Sequence, residues 1–285
     1  MRMNKETMMR FRGTALLAVL VLIVLVLLLT PPSPKTPRDV PPDIPQSISY
    51  DSNALSWPGV TLRNDTGTIG GNDECTFQDS GSGPLSPAGR GHVTLIDTVS
   101  LNPGACTRTV ASATYPVDSI PDTVWEEVDS SAAQSITDRA HLPIQRTILP
   151  ETTTTWTGSV AVTVRDPLNL TITQTIAGLT WTGTDTSVVS WEPFYSDSWA
   201  QWSGWSRYAG RFDLSGGGEE YAYADTSAYY KNDLFCPGRT NTTYSTHWIT
   251  YFQGEPGGGW QWRRSLSYSG GCSWMLHDTV TLVTP

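Results

Sequence analysis

From Trp156 to Val164 the chain alternates strictly. Trp156, Gly158, Val160, Val162 and Val164 fall on one side, with Thr157, Ser159, Ala161 and Thr163 on the other. A repeat of two belongs to a strand, not a helix. After Arg165-Asp166-Pro167 the pattern restarts as Leu168, Leu170, Ile172 and Ile176 against Asn169, Thr171, Thr173 and Thr175. Two alternating runs split by Asp-Pro read as a hairpin. A second hairpin places Tyr244, Trp248 and Phe252 on one face of its first arm. It turns through Gln253 to Gly259 and returns with Trp260, Trp262, Leu266 and Tyr268 on one face. Val93, Leu95, Val99 and Leu101 mark an earlier strand, as does the Thr/Val/Ala-rich stretch after Cys106, and a last strand runs through Val280 and Leu282. The expected fold is all-β, a disulfide-stapled β-sandwich-like arrangement of one or two small sandwiches. One segment departs from this. Thr123 and Glu126 have capping-box spacing, and Trp125, Val128, Ala132 and Ile136 recur at helical period, which predicts a short helix.

Composition supports a β protein. Charged residues make up 16% of the 285, below the ~25% usual for soluble globular chains, and long helices draw on that charged pool. With 29 aromatic residues there is ample surface to bury, so wholesale disorder is excluded. A formal net charge of −9 excludes steering by a basic field, so no nucleic-acid partner is expected.

Residues Ala15 to Leu29 are fifteen consecutive apolar residues, preceded by Arg2, Lys5, Arg10 and Arg12 against Glu6. That run approaches the ~17–25 residues that cross a bilayer, and the basic flank keeps the N-terminus cytoplasmic. Two readings compete, an uncleaved signal-anchor and a cleaved signal peptide. The run ends in Leu-Leu-Leu-Thr-Pro-Pro-Ser-Pro with no Ala-x-Ala site, which favours the anchor. Seven of the sixteen residues from Pro31 to Gln46 are proline, so this stretch reads as an extended spacer. The expected organisation is a cytoplasmic N-terminus (1–13), a transmembrane signal-anchor (14–30) and a Pro-rich linker (31–46). A first β subdomain (47–150) and an aromatic-rich β subdomain (151–285) follow. The expected location is the cell membrane, single-pass with the C-terminal ectodomain outside, or secreted if the N-terminal segment is cleaved.

Cys75, Cys106, Cys236 and Cys272 all lie beyond the anchor, an even count that suits an oxidising compartment. Zinc sites bring cysteines two to four residues apart, a spacing missing here. Of three possible pairings, Cys75–Cys106 with Cys236–Cys272 brackets one run of strands per bridge.

Catalytic signatures are sparse. His92, His141, His247 and His277 have no paired spacing, and no GxSxG, P-loop, GxGxxG or calcium loop occurs. No catalytic residue, metal or cofactor is therefore expected. Glu126, Glu127 and Asp129 cluster, as do Glu219 and Glu220, but adjacent residues on a strand point to opposite faces. A glycosidase needs two carboxylates facing across a cleft, which neither pair supplies alone.

The concentrated signal is aromatic: eight Trp, nine Tyr and four Phe lie between Trp191 and Trp274. Within it, Trp199, Trp202 and Trp205 recur every third residue, which does not alternate between two sheet faces. Trp202-Ser-Gly-Trp205-Ser206 is similar to the WSxWS element of class I cytokine receptors, and the threefold Trp spacing resembles thrombospondin type 1 repeats. Both resemblances imply stacked Trp and Arg side chains, here drawing on Arg207, Arg211, Arg263 and Arg264. The match spans seven residues, lacks the flanking cysteines of a thrombospondin repeat and sits behind an anchor that inverts the receptor topology. It implies a local ladder rather than a family. Trp199, Trp202, Trp205, Arg207 and Arg211 are the candidate ligand-binding residues. The expected role is non-enzymatic binding at the cell surface, with glycan or a cell-surface molecule as partner. The alternatives are a secreted carbohydrate-active hydrolase, or a structural protein assembling through its aromatic face.

Overall fold

A computed structural model describes residues 47–50, 52–71, 74–83, 91–125, 153–236 and 242–285. The expected cytoplasmic segment, anchor and linker (1–46) lie outside them, as does most of the helix expected from Thr123 to Ile136. Only a single helical turn, Asp122–Trp125, is described there. Among the described residues no helix is long and apolar enough to cross a membrane.

The described chain is all-β, built as two antiparallel sheets. In the first, the order is β2 (Thr61–Thr66), β6 (Thr107–Pro116), β5 (His92–Asn102), β15 (His277–Thr284), β7 (Thr154–Arg165), β8 (Thr171–Gly183) and β9 (Val188–Trp199), with β1 (Ile48–Ser49) on β5. The second runs β10 (Trp205–Arg207), β12 (Ala222–Asn232), β13 (Thr243–Gly254), β14 (Trp260–Gly270), β4 (Cys75–Gly83) and β3 (Thr68–Ile69), with β11 (Phe212–Gly217) also on β12. Strands from both sides of residue 150 occupy both sheets. β15 lies between β5 and β7, and β14 between β13 and β4. Pro45–Pro285 forms one compact unit.

The sheets share a core in which Val160, Val162, Val164, Leu179 and Trp181 of the first meet Phe77, Tyr230, Ile249, Phe252 and Leu266 of the second. Each such side chain withdrawn from water contributes ~1.5–3 kcal/mol, so this layer is the main source of stability. Two glycines let aromatics lie on the backbone. A Cβ at Gly158 would fall 2.2 Å from the Phe252 ring, and one at Gly254 would fall 2.3 Å from the Trp181 ring. On the back of the first sheet a second cluster joins Val93, Leu95, Ala111, Ala161 and Ile176 to Ala54, Trp57, Ile120 and Val124. From Gly158 onward β7 is thus buried on both faces, and Thr163 does not meet solvent as simple alternation suggests.

Two strands depart from the expected facing. In β8 the core side holds Thr173, Thr175, Ala177, Leu179 and Trp181, while Ile176 joins the back cluster and Leu168 and Leu170 sit in the turn. Polar threonines are tolerated inside because Thr173 and Thr175 hydrogen-bond the ring nitrogens of buried His247 at 3.1 and 3.0 Å. In β13 a bulge between Ile249 and Tyr251 changes the face mid-strand, so Tyr244 and Trp248 point outward and Phe252 inward.

Both disulfides match the expected pairing: Cys75–Cys106, with Cα atoms 5.7 Å apart, ties the start of β4 to the β5–β6 turn, and Cys236–Cys272 ties the segments after β12 and β14 at 5.2 Å. No described cysteine is free.

Candidate functional site

The Trp/Arg segment lies where β9, the edge of the first sheet, meets β10 and β11 at the edge of the second. It does not form one surface. Trp205 is 2% exposed and packs against Phe235 at 5.6 Å. Trp202, in the Gln201–Ser203 turn, is 74% exposed. Trp199 is half-buried against Tyr230, and the Arg207 guanidinium lies 5.3 Å from its ring centre. The expected ladder is a single rung. Arg211 instead bonds Asp197 at 2.9 Å and Asp213 through its Nε at 2.8 Å, and Arg207 reaches Asp197 at 2.8 Å. Arg263 donates to Gln78 at 3.0 Å, and Arg264 is in the core. Arg207 and Arg211 thus clasp β9 to the second sheet through one carboxylate. The Tyr195 hydroxyl adds to the clasp by donating to the Leu214 carbonyl at 2.5 Å.

The buried charges are committed to structure. Arg108 of β6, Asp278 of β15, Asp79 of β4 and Arg264 of β14 form a closed cluster between the sheets. Arg108 meets Asp79 at 2.7 Å and Asp278 at 3.1 Å, and Arg264 meets Asp278 at 2.7 Å and also Asp79. Asp278 further accepts Thr98 at 2.9 Å and Tyr268 at 3.1 Å. Burial opposes ionisation of Asp278 and Asp79, but Arg264 and Arg108 outweigh it and hold both carboxyls below the usual range. Neither can act as an acid near neutrality. Burial, and then Arg264, pulls His247 down to about 3, and it is neutral among Thr173, Thr175 and Ser245. A cleft of about 310 Å³ beside β2, β5 and β6 is lined by Asp65, Arg108, Leu101 and Ser, Thr and Asn side chains, without an aromatic. Asp65 is its one carboxylate and is held by Arg63 at 2.6 Å and Arg108 at 3.2 Å.

The outer face of the second sheet is different. Its registers put Phe212 of β11, Ser227 of β12, Trp248 of β13, Ser265 of β14 and Gln78 of β4 in one row across five strands. In the adjacent row Tyr208, whose N–H donates to Tyr229, stands beside Tyr229 and Thr246. The rings of Tyr229 and Tyr244 flank Tyr208 edge-on at 6.1 and 5.4 Å. Tyr223 and Leu214 extend the surface, with Tyr221 at 6.3 Å from Tyr223. At its centre Asp225 accepts the Trp248 indole N–H at 3.3 Å, and burial followed by the charge of Asp213 raises its carboxyl above the usual value. Trp248 is 49% exposed, and Tyr208, Phe212 and Leu214 are exposed as well. Apolar ring faces interleaved with Asp, Gln, Arg, Ser and Thr give an open platform of mixed chemistry.

Spacing along the sequence missed this platform because its members come from four or five separate strands. The only local signal was the alternation of tyrosines in β12, Tyr223, Asp225, Ser227 and Tyr229 on one side and Ala222, Ala224, Thr226 and Ala228 on the other. Comparison with known proteins finds no matching family model, no matching curated protein and no matching solved structure.

Proposed function

We propose that the protein is a surface-tethered, non-enzymatic binding module whose β-sandwich recognises glycan through the outer face of its second sheet. The supporting observation is the aromatic platform of Tyr208, Phe212, Tyr223, Tyr229, Tyr244 and Trp248, which is open to solvent around an acceptor carboxylate, Asp225. Sugar rings present C–H faces that pack on aromatic faces, while their hydroxyls bond side chains such as Asp225, Gln78 and Arg263. An extended polysaccharide lying across β11, β12, β13 and β14 would meet both kinds of group at once. The membrane anchor over 14–30 and the Pro-rich linker over 31–46 place this module outside the cell in the same reading. The hydrolase alternative gains nothing from Asp79 and Asp278, which are bound to arginine.

The test is retention of the detergent-solubilised chain on insoluble polysaccharides and on a glycan array. Binding that Trp248→Ala and Tyr229→Ala each reduce at least tenfold, with the fold intact, supports the reading. Retention unaffected by both, or absent from every glycan tried, overturns it.

A further inference from the structure

Three large apolar side chains exceed 70% exposure among the described residues: Leu168 at 77%, Trp202 at 74% and Leu234 at 77%. All three stand on loops at one end of the two-sheet stack. Leu168 tops the β7–β8 turn. Trp202 is in the turn after β9, which is held to the start of β8 by the Ala200 N–H to the Ile172 carbonyl at 2.8 Å. Leu234 follows β12, and Asn232 ties that loop to the Trp202 turn by donating to the Ser203 carbonyl at 2.8 Å. Leu170, also in the β7–β8 turn, is exposed beside them.

The chain enters the domain at this same end. Ile48 pairs with Leu101, next to the β5–β6 turn, and Tyr50 stacks on His277 at 4.2 Å. The Tyr50 hydroxyl donates to the Leu276 carbonyl at 2.8 Å. His277 opens β15 opposite Arg165, the residue before the β7–β8 turn. Residue 47, the first described, therefore lies at the end that carries the exposed tips, and the fifteen aliphatic residues precede it in the sequence.

We propose that this end of the domain seats in the headgroup region of a lipid bilayer through Leu168, Trp202 and Leu234. The proposal rests on the anchored reading above. Single apolar tips on separate loops suit a fluid apolar layer, which accepts each one independently, whereas a protein partner would need a matched pocket for each. Trp and Leu are residues that settle at the membrane interface. Charge adds little. Lys231 is paired with Asp233 at 3.1 Å, and Asp166 accepts the N–H groups of Leu168 and Leu170, both at 2.9 Å. Seating is thus apolar and independent of anionic lipid. End-on seating leaves the outer face of the second sheet pointing sideways.

The test uses the full chain in phosphatidylcholine vesicles with and without bromine at mid-acyl positions. Every tryptophan lies at residue 57 or beyond, so quenching reports on the domain alone. Brominated lipid is expected to quench part of the emission, and Trp202→Phe to remove at least half of that quenched part. Leu168→Ser with Leu234→Ser should weaken quenching at least twofold without changing thermal unfolding, and 0.5 M salt should leave the wild-type value as it is. A chain that floats with the vesicles but shows equal emission with and without bromine overturns the seating and spares the anchor. A chain that does not float overturns both.

Discussion

The two faces of the second sheet use the same residue types to opposite ends. On β12, Ala222, Ala224, Thr226, Ala228 and Tyr230 turn inward and are fully buried, while Tyr223, Asp225 and Tyr229 turn outward. Tyr230 exchanges hydrogen bonds with Thr175 at 2.9 Å and the Gln174 carbonyl at 2.8 Å, and burial drives its hydroxyl pKa up. Its neighbour Tyr229 packs only edge-on, against Tyr208. Inside, aromatic rings are held by small residues and by fixed polar partners. Outside, they stand beside groups still accessible to solvent. Aromatic richness by itself thus does not distinguish a core from a contact surface; the partners of the polar atoms do.

The sharpest way to break the comparison is to open the inner layer at its charges. Asp278 receives Arg108, Arg264, Thr98 and Tyr268. Removing one partner of a buried ion cluster strands the rest, so Asp278→Ala is expected to cost ~3–5 kcal/mol in urea unfolding. A loss under ~1 kcal/mol would mean that the cluster is solvated and that the inner face is not dry.

Two tryptophans three residues apart give the next contrast. Trp205→Ala empties a buried site and should cost ~3–5 kcal/mol. Trp202→Ala, at an exposed turn, should stay within ~0.5 kcal/mol. Equal melting temperatures for the two variants would contradict their opposite burial.

That contrast also marks what the sequence could convey. Strand period and the β7–β8 hairpin were legible because they depend on neighbours along the chain, and the disulfide pairs because each bridge brackets one run of strands. Trp199, Trp202 and Trp205 looked alike because a threefold spacing says nothing of a turn between two sheet edges, and the Gln201–Ser203 turn sends each ring elsewhere. The bulge in β13 was equally hidden. One added residue reverses which side Trp248 and Phe252 take, and no local composition announces it. The burial of Arg108 and Arg264 was hidden too, since only tertiary pairing with Asp79 and Asp278 makes it tolerable.

Acid separates the layers by a different route. Burial holds His247 down to about 3 and His277 down to about 4, while an unfolded histidine takes its proton near 6.5. Between these values the unfolded chain binds more protons, so stability falls as pH falls from about 6.5 towards 4, by up to ~1.4 kcal/mol per pH unit for each histidine. Asp79 and Asp278, held low by arginine, add their loss only below about pH 4. Urea midpoints at pH 7, 6 and 5 check this, and His247→Gln should flatten the slope. A pH-independent midpoint over that range would show that neither ring is kept neutral by the fold.

A small expected effect on stability also falls on the outer face, where it carries the most functional weight. Trp248 is half-exposed and its one hydrogen bond, to Asp225, faces solvent, so Trp248→Ala should cost no more than ~1 kcal/mol. Tyr229→Ala should cost about as little, because the Tyr208 ring it touches also leans on Tyr244 at 5.4 Å. Asp225→Asn keeps the shape of the acceptor but removes its charge, and with Asp213 nearby it should be neutral or slightly stabilising. Unfolding curves for the three variants should therefore superimpose on the parent within ~1 kcal/mol, while Trp205→Ala does not. If Trp248→Ala unfolds the chain as Trp205→Ala does, the outer aromatics are a second core layer and the platform reading fails with them.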